Sequence, residues 1–336
     1  MSTALDPAGP AGPAARPLRI GTRASRLAQT QTGLVADALT AAGAQVEIVT
    51  VATEGDRTQE SGVPIAGSGV GVFVGALREA LLDGRVDVAV HSYKDLPTAP
   101  ASGIVLAAVP TREDPRDVLV ARDRMVLGEL PPGAVVGTGS PRRAAQLAAL
   151  GLGLEIVGIR GNVDTRVAKV TRGEVDAVVL ARAGLARLGR LSEATEVLDP
   201  LQMLPAPGQG ALACECRVSD VETERLLRET LHDEYSAAAV DAERAVLSAV
   251  GGGCAAVVGA LADIVSDLDD DGRAVDRLSL RAVAATRDGG LVRGSITGET
   301  KDAESLGRAL VAELVVDGAA TGAATGPSGP ANPLTP

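Results

Sequence analysis

From residue 18 to about 205 the chain alternates short apolar, β-branched runs with longer stretches in which apolar positions recur every three or four residues. These are the periods of strand and helix in alternation, the pattern of βαβ units around a mainly parallel sheet. A first block predicts strands at 18–21, 46–52, 86–90 and 104–109, with helices at 25–42 and 73–83. A second block predicts strands at 117–121, 134–137, 154–159 and 177–180, with helices at 141–150, 163–171 and 184–188. Beyond about residue 232 the order changes to a helix at 236–250, antiparallel strands at 257–265, 278–285 and 291–297, and a helix at 302–315. The expected architecture is α/β, two lobes joined by hinges, with a small C-terminal α+β domain.

Proline marks the joints. The segment 110–115, closed by Pro110 and Pro115, can extend neither strand nor helix and reads as a hinge. Residues 204–210 are a second proline-glycine segment before a strand-like 211–214, which reads as a return crossing to the first block's sheet. The domain division expected from this is a disordered leader at 1–17, domain 1 at 18–110 with 211–230, domain 2 at 116–205, domain 3 at 231–317, and a disordered tail at 318–336. The leader has no continuous apolar region and does not read as a secretory signal.

Composition narrows the function. Asp and Glu outnumber Lys and Arg 43 to 32, a formal charge of −11 that argues against a protein built to hold nucleic-acid phosphates. Phe73, Tyr93 and Tyr235 are the only aromatic residues, so no stacking row exists for single strands. Cys214, Cys216 and Cys254 are too few and too unevenly spaced for a disulfide framework, and no apolar run is long enough for a bilayer. A reducing cytoplasm and no membrane partner are expected.

Candidate chemistry lies at strand-to-helix junctions, where open α/β sheets bind ligands. Ser140-Pro141-Arg142-Arg143 has the form of a helix start, Ser as N-cap and Pro at the first position. Two cations there oppose the helix dipole by about 0.3–1 kcal/mol each, unless an anion sits with them. Arg23 and Ser25, Arg160 and Arg166, and Arg187 occupy similar junctions. Either these are scattered surface residues or they converge on one cleft, where guanidinium forks suit a ligand bearing several carboxylates.

The segment His91-Ser92-Tyr93-Lys94-Asp95 directly follows the run 86–90. Asp95 is a general acid/base candidate at a strand's carboxyl end, or half of a local ion pair with Lys94. Cys254, after three glycines at a helix end, is a nucleophile or covalent anchor, or a small buried hydrophobe. Cys214 and Cys216 fall on one strand face and read as core thiols. With two histidines in the chain they make a weak metal case. Glycine-rich 67–71 lacks the preceding strand of a dinucleotide loop and reads as a mobile flap, and acidic 267–272 as a solvated hairpin loop.

Taken together, 19–25, 90–97, 112–117, 137–143, 160–166, 204–217 and 252–254 resemble the porphobilinogen deaminase (hydroxymethylbilane synthase) family. The resemblance implies two hinged lobes similar to periplasmic binding proteins and a third domain carrying the cysteine loop. It implies an enzyme, a monomer, that joins four porphobilinogen molecules head to tail with release of ammonia, primed on a covalent dipyrromethane. By motif position Cys254 is the attachment point and Asp95 the catalytic carboxylate. Lys94, Asp95, Ser140, Arg142, Arg143 and Arg160 would hold the cofactor, and Arg23, Ser25, Arg166 and Arg187 the substrate. The family's flap lysines are replaced here by Val70 and Gly75, and a proline usual after the anchor cysteine by Val257. The competing class is a non-enzymatic two-lobed binder of polycarboxylate anions, which predicts a secretory signal and needs no thiol.

Overall fold

The computed structural model describes residues 16–52, 71–251, 256–269 and 271–321, with backbone alone for 71–73. Two five-stranded sheets and one three-stranded sheet carry the fold. The first block supplies β1 (Leu18–Thr22), α1 (Arg26–Ala41), β2 (Val46–Thr50), α2 (Gly71–Leu82), β3 (Val88–Ser92) and β4 (Ile104–Ala108). The second supplies β5 (Asp117–Ala121), β6 (Val135–Thr138), α3 (Pro141–Ala149), β7 (Glu155–Gly158), α4 (Val163–Thr171), β8 (Ala177–Ala181), α5 (Arg182–Arg187) and a short β9 (Glu196–Val197). The chain then returns through β10 (Leu212–Arg217) and α6 (Val221–Leu231).

The sheet orders are β2-β1-β3-β10-β4 and β7-β6-β8-β5-β9. In each lobe a strand from across the hinge enters next to the last position and runs antiparallel to its neighbours. β10 lies between β3 and β4, and β5 between β8 and β9. The chain therefore crosses between lobes twice, and the parallel strands of each sheet aim their carboxyl ends at the other lobe.

Helices cover both faces of each five-stranded sheet, which is why strands such as β5 and β8 are apolar without alternation. On the first sheet, Ile20, Val88, Val90, Leu212, Cys214 and Cys216 pack against Val35 and Leu39 of α1 and Leu227 of α6. Leu77 and Leu81 of α2 pack on the opposite face. Each such leucine contributes about 1.5–3 kcal/mol of burial. Cys214 and Cys216 are thus core thiols, and burial raises them to about 12 and about 11.

The third sheet is the antiparallel meander β11 (Val258–Leu268), β12 (Ala274–Ala285) and β13 (Leu291–Glu299). One face packs on α7 (Glu234–Val250) and α8 (Ala303–Val316). Glu243 of α7, fully buried, ties this domain to both crossings. It takes both Nη atoms of Arg112 at 2.7 and 2.8 Å, the Gly208 amide at 2.7 Å and the Ala262 amide at 2.9 Å. α7 ends where Gly251 adopts φ 79°, a left-handed value that an L side chain resists. The acidic 267–272 stretch forms the β11–β12 hairpin turn, closed by Asp269 and Arg273, with Asp270 outside the described residues.

α6 is absent from the sequence expectations. Its three leucines, Leu226, Leu227 and Leu231, are outnumbered by charge, and its helicity rests on the Asp220 N-cap, which accepts the Thr223 amide at 3.2 Å, and on i,i+4 pairs such as Arg225–Glu229.

Candidate functional site

Every cation singled out at a junction follows a parallel strand. Arg23 and Ser25 follow β1, Lys94 and Asp95 follow β3, Ser140, Arg142 and Arg143 follow β6, Arg160 and Arg166 follow β7, and Arg187 ends α5 after β8. Local chemistry fixes the junctions. Ser25 caps α1 by accepting the Ala28 amide at 3.4 Å, Ser140 caps α3 by accepting the Arg143 amide at 3.4 Å, and Asn162 caps α4 by accepting the Thr165 amide at 2.8 Å.

Two cavities lie between the lobes, of about 270 and about 220 Å³, and share Lys94, Asp95 and Arg143 in their walls. The larger is also lined by Arg23, Ser25, Gln31, Ser92, Arg166 and Arg187. The smaller is lined by Ser140, Arg142 and Gln209, together with Leu247 of α7 and Ala256. Arg160 is exposed and lines neither cavity. Cys254 and the 67–70 part of the glycine-rich segment lie outside the described residues.

The larger cavity sets five cations against the carboxylates of Asp95 and Asp164, and Asp164 is already paired with Arg190. Burial moves several of these groups toward the uncharged form. It lowers Arg166 and Arg187, and takes the Lys94 ammonium down to about 8, with Arg143 and Arg142 pushing the same way and Asp95 and Asp117 opposing. Cations held at such a cost gain most from an anion brought between them.

At α3 the anion required by two cations in a first turn is in part the protein's own. Arg142 Nη2 meets Asp117 Oδ2 at 2.9 Å and Arg143 Nη2 meets Asp117 Oδ1 at 2.8 Å, all three side chains being buried. Arg142 also donates to the Leu204 carbonyl, and Arg143 to that of Val179 at 3.0 Å. Burial alone would raise Asp117, but the two arginines hold its carboxyl far below the usual range. One carboxylate shared by two guanidiniums leaves net positive charge, and the Nε atoms of both arginines are buried without a partner among the described residues. Sequence reading missed Asp117 and Gln209. The available signal was an acid opening an otherwise apolar strand, Asp117-Val118-Leu119-Val120-Ala121, since a carboxylate there must be paired.

The turn carrying Lys94 and Asp95 is held from the third domain. Arg244 of α7 donates to the carbonyls of Tyr93 at 3.3 Å, Leu96 at 3.1 Å and Pro97 at 2.6 Å, and stacks 4.7 Å from the Tyr93 ring centroid. Beside it, buried Glu215 of β10 receives Arg78 at 2.6 and 3.0 Å and lies 3.2 Å from His91. Burial opposes its charge, yet these partners hold it at about 2. Among the described residues no cluster of His, Cys, Asp and Glu could hold a metal ion, and no helix is long and apolar enough to cross a membrane.

Residues 18–225 match the family model "Porphobilinogen deaminase, dipyromethane cofactor binding domain", and 237–315 match "Porphobilinogen deaminase, C-terminal domain". The chain is 59% identical over 304 residues to the porphobilinogen deaminase of Nocardia farcinica, covering 90% of this chain and 87% of that one. It is 57% identical over 303 residues to that of Mycobacterium tuberculosis, covering 90% and 97%. Among solved structures, a periplasmic binding protein of an arginine transport system from Legionella pneumophila is 12% identical, with a TM-score of 0.36 over 63% of this chain and 91% of that one. Two family models in tandem, with relatives of this identity over nearly the whole length, place the chain in the porphobilinogen deaminase family.

Proposed function

We propose that the two interlobe cavities form one active cleft, in which Asp95 works at the centre of a ring of carboxylate-binding cations. The chain is a hydroxymethylbilane synthase, a transferase that links four porphobilinogen molecules head to tail with loss of ammonia, on a covalently held dipyrromethane. The observation that carries the placement is the set of five cations that share a cavity with Asp95, three of which, Lys94, Arg166 and Arg187, are buried at a cost to their charge. Each porphobilinogen ring brings an acetate and a propionate, so a growing chain supplies the missing negative charge.

The residues present fit the dipyrromethane. The Nε atoms of Arg142 and Arg143, buried without a partner among the described residues, and the excess cation they share with Asp117 suit its carboxylates. Leu247 and Ala256, on either side of 252–255, line the same cavity, which supports Cys254 as the anchor. Lys94, Ser140, Arg142 and Arg143 would hold the group, with Arg160 at the exposed rim. When bound, it supplies the pyrrole carbon to which the next ring is joined.

Arg23, Ser25, Arg166 and Arg187 bind the carboxylates of incoming porphobilinogen in the larger cavity. Asp95 opens on both cavities, so one carboxyl reaches the leaving amine on one side and the bond-forming carbon on the other. It protonates or orients the departing amine, balances positive charge on the ring left behind, and accepts the ring proton afterwards. Lys94, next to it, binds a ring carboxylate.

In domain terms the reading is 18–110 with 211–230 as one lobe, 116–205 as the other, and 231–317 as the anchor domain. The working unit is a cytoplasmic monomer, without nucleic-acid or membrane partners. Asp95→Asn tests the central role. The purified variant retains the covalent dipyrromethane by intact mass and loses turnover of porphobilinogen by more than about 100-fold. Near-normal ammonia release would remove Asp95 from the chemistry.

A further inference from the structure

Gln209 stands on the second crossing, 1% exposed, and its side-chain amide touches both lobes. Oε1 accepts from the Lys94 ammonium at 3.2 Å and from Arg143 Nη2 at 3.5 Å. Nε2 donates to Asp117 Oδ1 and to the Pro115 carbonyl, each at 2.7 Å. The amide can point only one way: turned over, its NH2 would face two cations and its oxygen two acceptors. Lys94 follows β3 in one sheet, whereas Asp117 and Arg143 belong to β5 and α3 of the other.

The charged groups facing Lys94 are Asp95 on its own turn, Arg142 and Arg143 from α3, and Asp117 from β5. A flexible lysine beside two arginines swings away by repulsion and entropy unless something holds it. We propose that Gln209 is a positioning residue of the reaction, its amide oxygen holding the Lys94 ammonium against the Arg142–Arg143 pair across the lobe boundary. Lys94 and Arg143 then stand together at the wall common to both cavities, with Arg142 beside them on the smaller one, where a ring carboxylate binds as the chain lengthens. A neutral acceptor suits the task because it bridges like charges without cancelling the field meant for the ligand. The proposal rests on reading the cleft as the polycarboxylate site, but the holding of Lys94 is measurable on its own.

The chain has three lysines, Lys94, Lys169 and Lys301, and the last two pair with Glu174 and Glu299 and line neither cavity. Holoenzyme labelled with ε-13C lysine therefore reports Lys94 as one of three titrating signals. In Gln209→Met the ammonium loses its acceptor, and the Lys94 signal titrates about one pH unit below wild type. In Gln209→Glu a carboxylate takes the acceptor's place and the signal titrates above wild type. Lys169 and Lys301 move in neither. The alkaline limb of kcat/KM for porphobilinogen follows Lys94 in each variant, through KM more than kcat. A Lys94 signal unshifted in both variants, or shifted the same way in both, overturns the proposal whatever the activity does. If Gln209→Glu fails to fold, the direction in Gln209→Met decides alone. Opposite shifts with an unchanged KM would uphold the holding of Lys94 and refute the carboxylate reading of the cleft.

Discussion

Asp117 shows how one buried carboxylate organises two cations that would otherwise repel. Removing it strands Arg142 and Arg143, both buried, without their shared anion. Asp117→Ala is therefore expected to lose about 3–5 kcal/mol in urea unfolding, far more than a surface pair would give up. Lys94 makes a pH prediction. Its value in the folded chain is about 8, below the ordinary lysine value, so between pH 8 and the ordinary range the unfolded chain keeps a proton that the folded chain has released. Stability of cofactor-free protein from this group thus rises with pH across that window, and the charging cost is fully present below it. Lys94→Met removes this rise. Equal pH slopes for the two proteins in denaturant titrations between pH 7.5 and 10.5 would contradict it. In the sequence the arginines were legible from their placement after strands. Their internal partner was not, because Asp117 lies more than twenty residues before the α3 arginines and reaches them only through the β5–β8 pairing.

At the scale of elements, the strand and helix alternation up to β9 was readable because the strands are short apolar runs and the helices between them keep an apolar period of three to four residues. What the pattern could not show was pairing order. Nothing local in 212–217 says that β10 enters antiparallel between β3 and β4, since that follows from the lobes being wound before the chain returns. The return depends on a close approach. Gly210 has φ +87°, and a Cβ there would lie 2.2 Å from the Glu113 carbonyl oxygen on the other crossing. The same glycine's carbonyl receives Arg187 at 2.7 Å. Gly210→Ala should cost more than the roughly 1–3 kcal/mol that positive φ alone imposes. Gly173, with φ +70° and open space around its Cβ position, supplies the control. Thermal unfolding of Gly210→Ala and Gly173→Ala compares them, and equal losses would mean the crossings do not press together at this point.

For the whole molecule, an acidic chain of net charge −11 gathers six cations in the walls of two cavities where two lobes and a third domain meet. Glu243 and Arg244, adjacent on α7, bind respectively the two crossings and the turn carrying Asp95. The helix that precedes 252–255 is thus locked to the acid it would serve, a relation between distant segments that no stretch of sequence displays. The measurement that bears most directly on this account is the intact mass of purified protein beside that of Cys254→Ser. The account predicts an increment of one dipyrromethane on the first and the bare chain mass for the second. A bare mass for both, or the same increment on both, would contradict it.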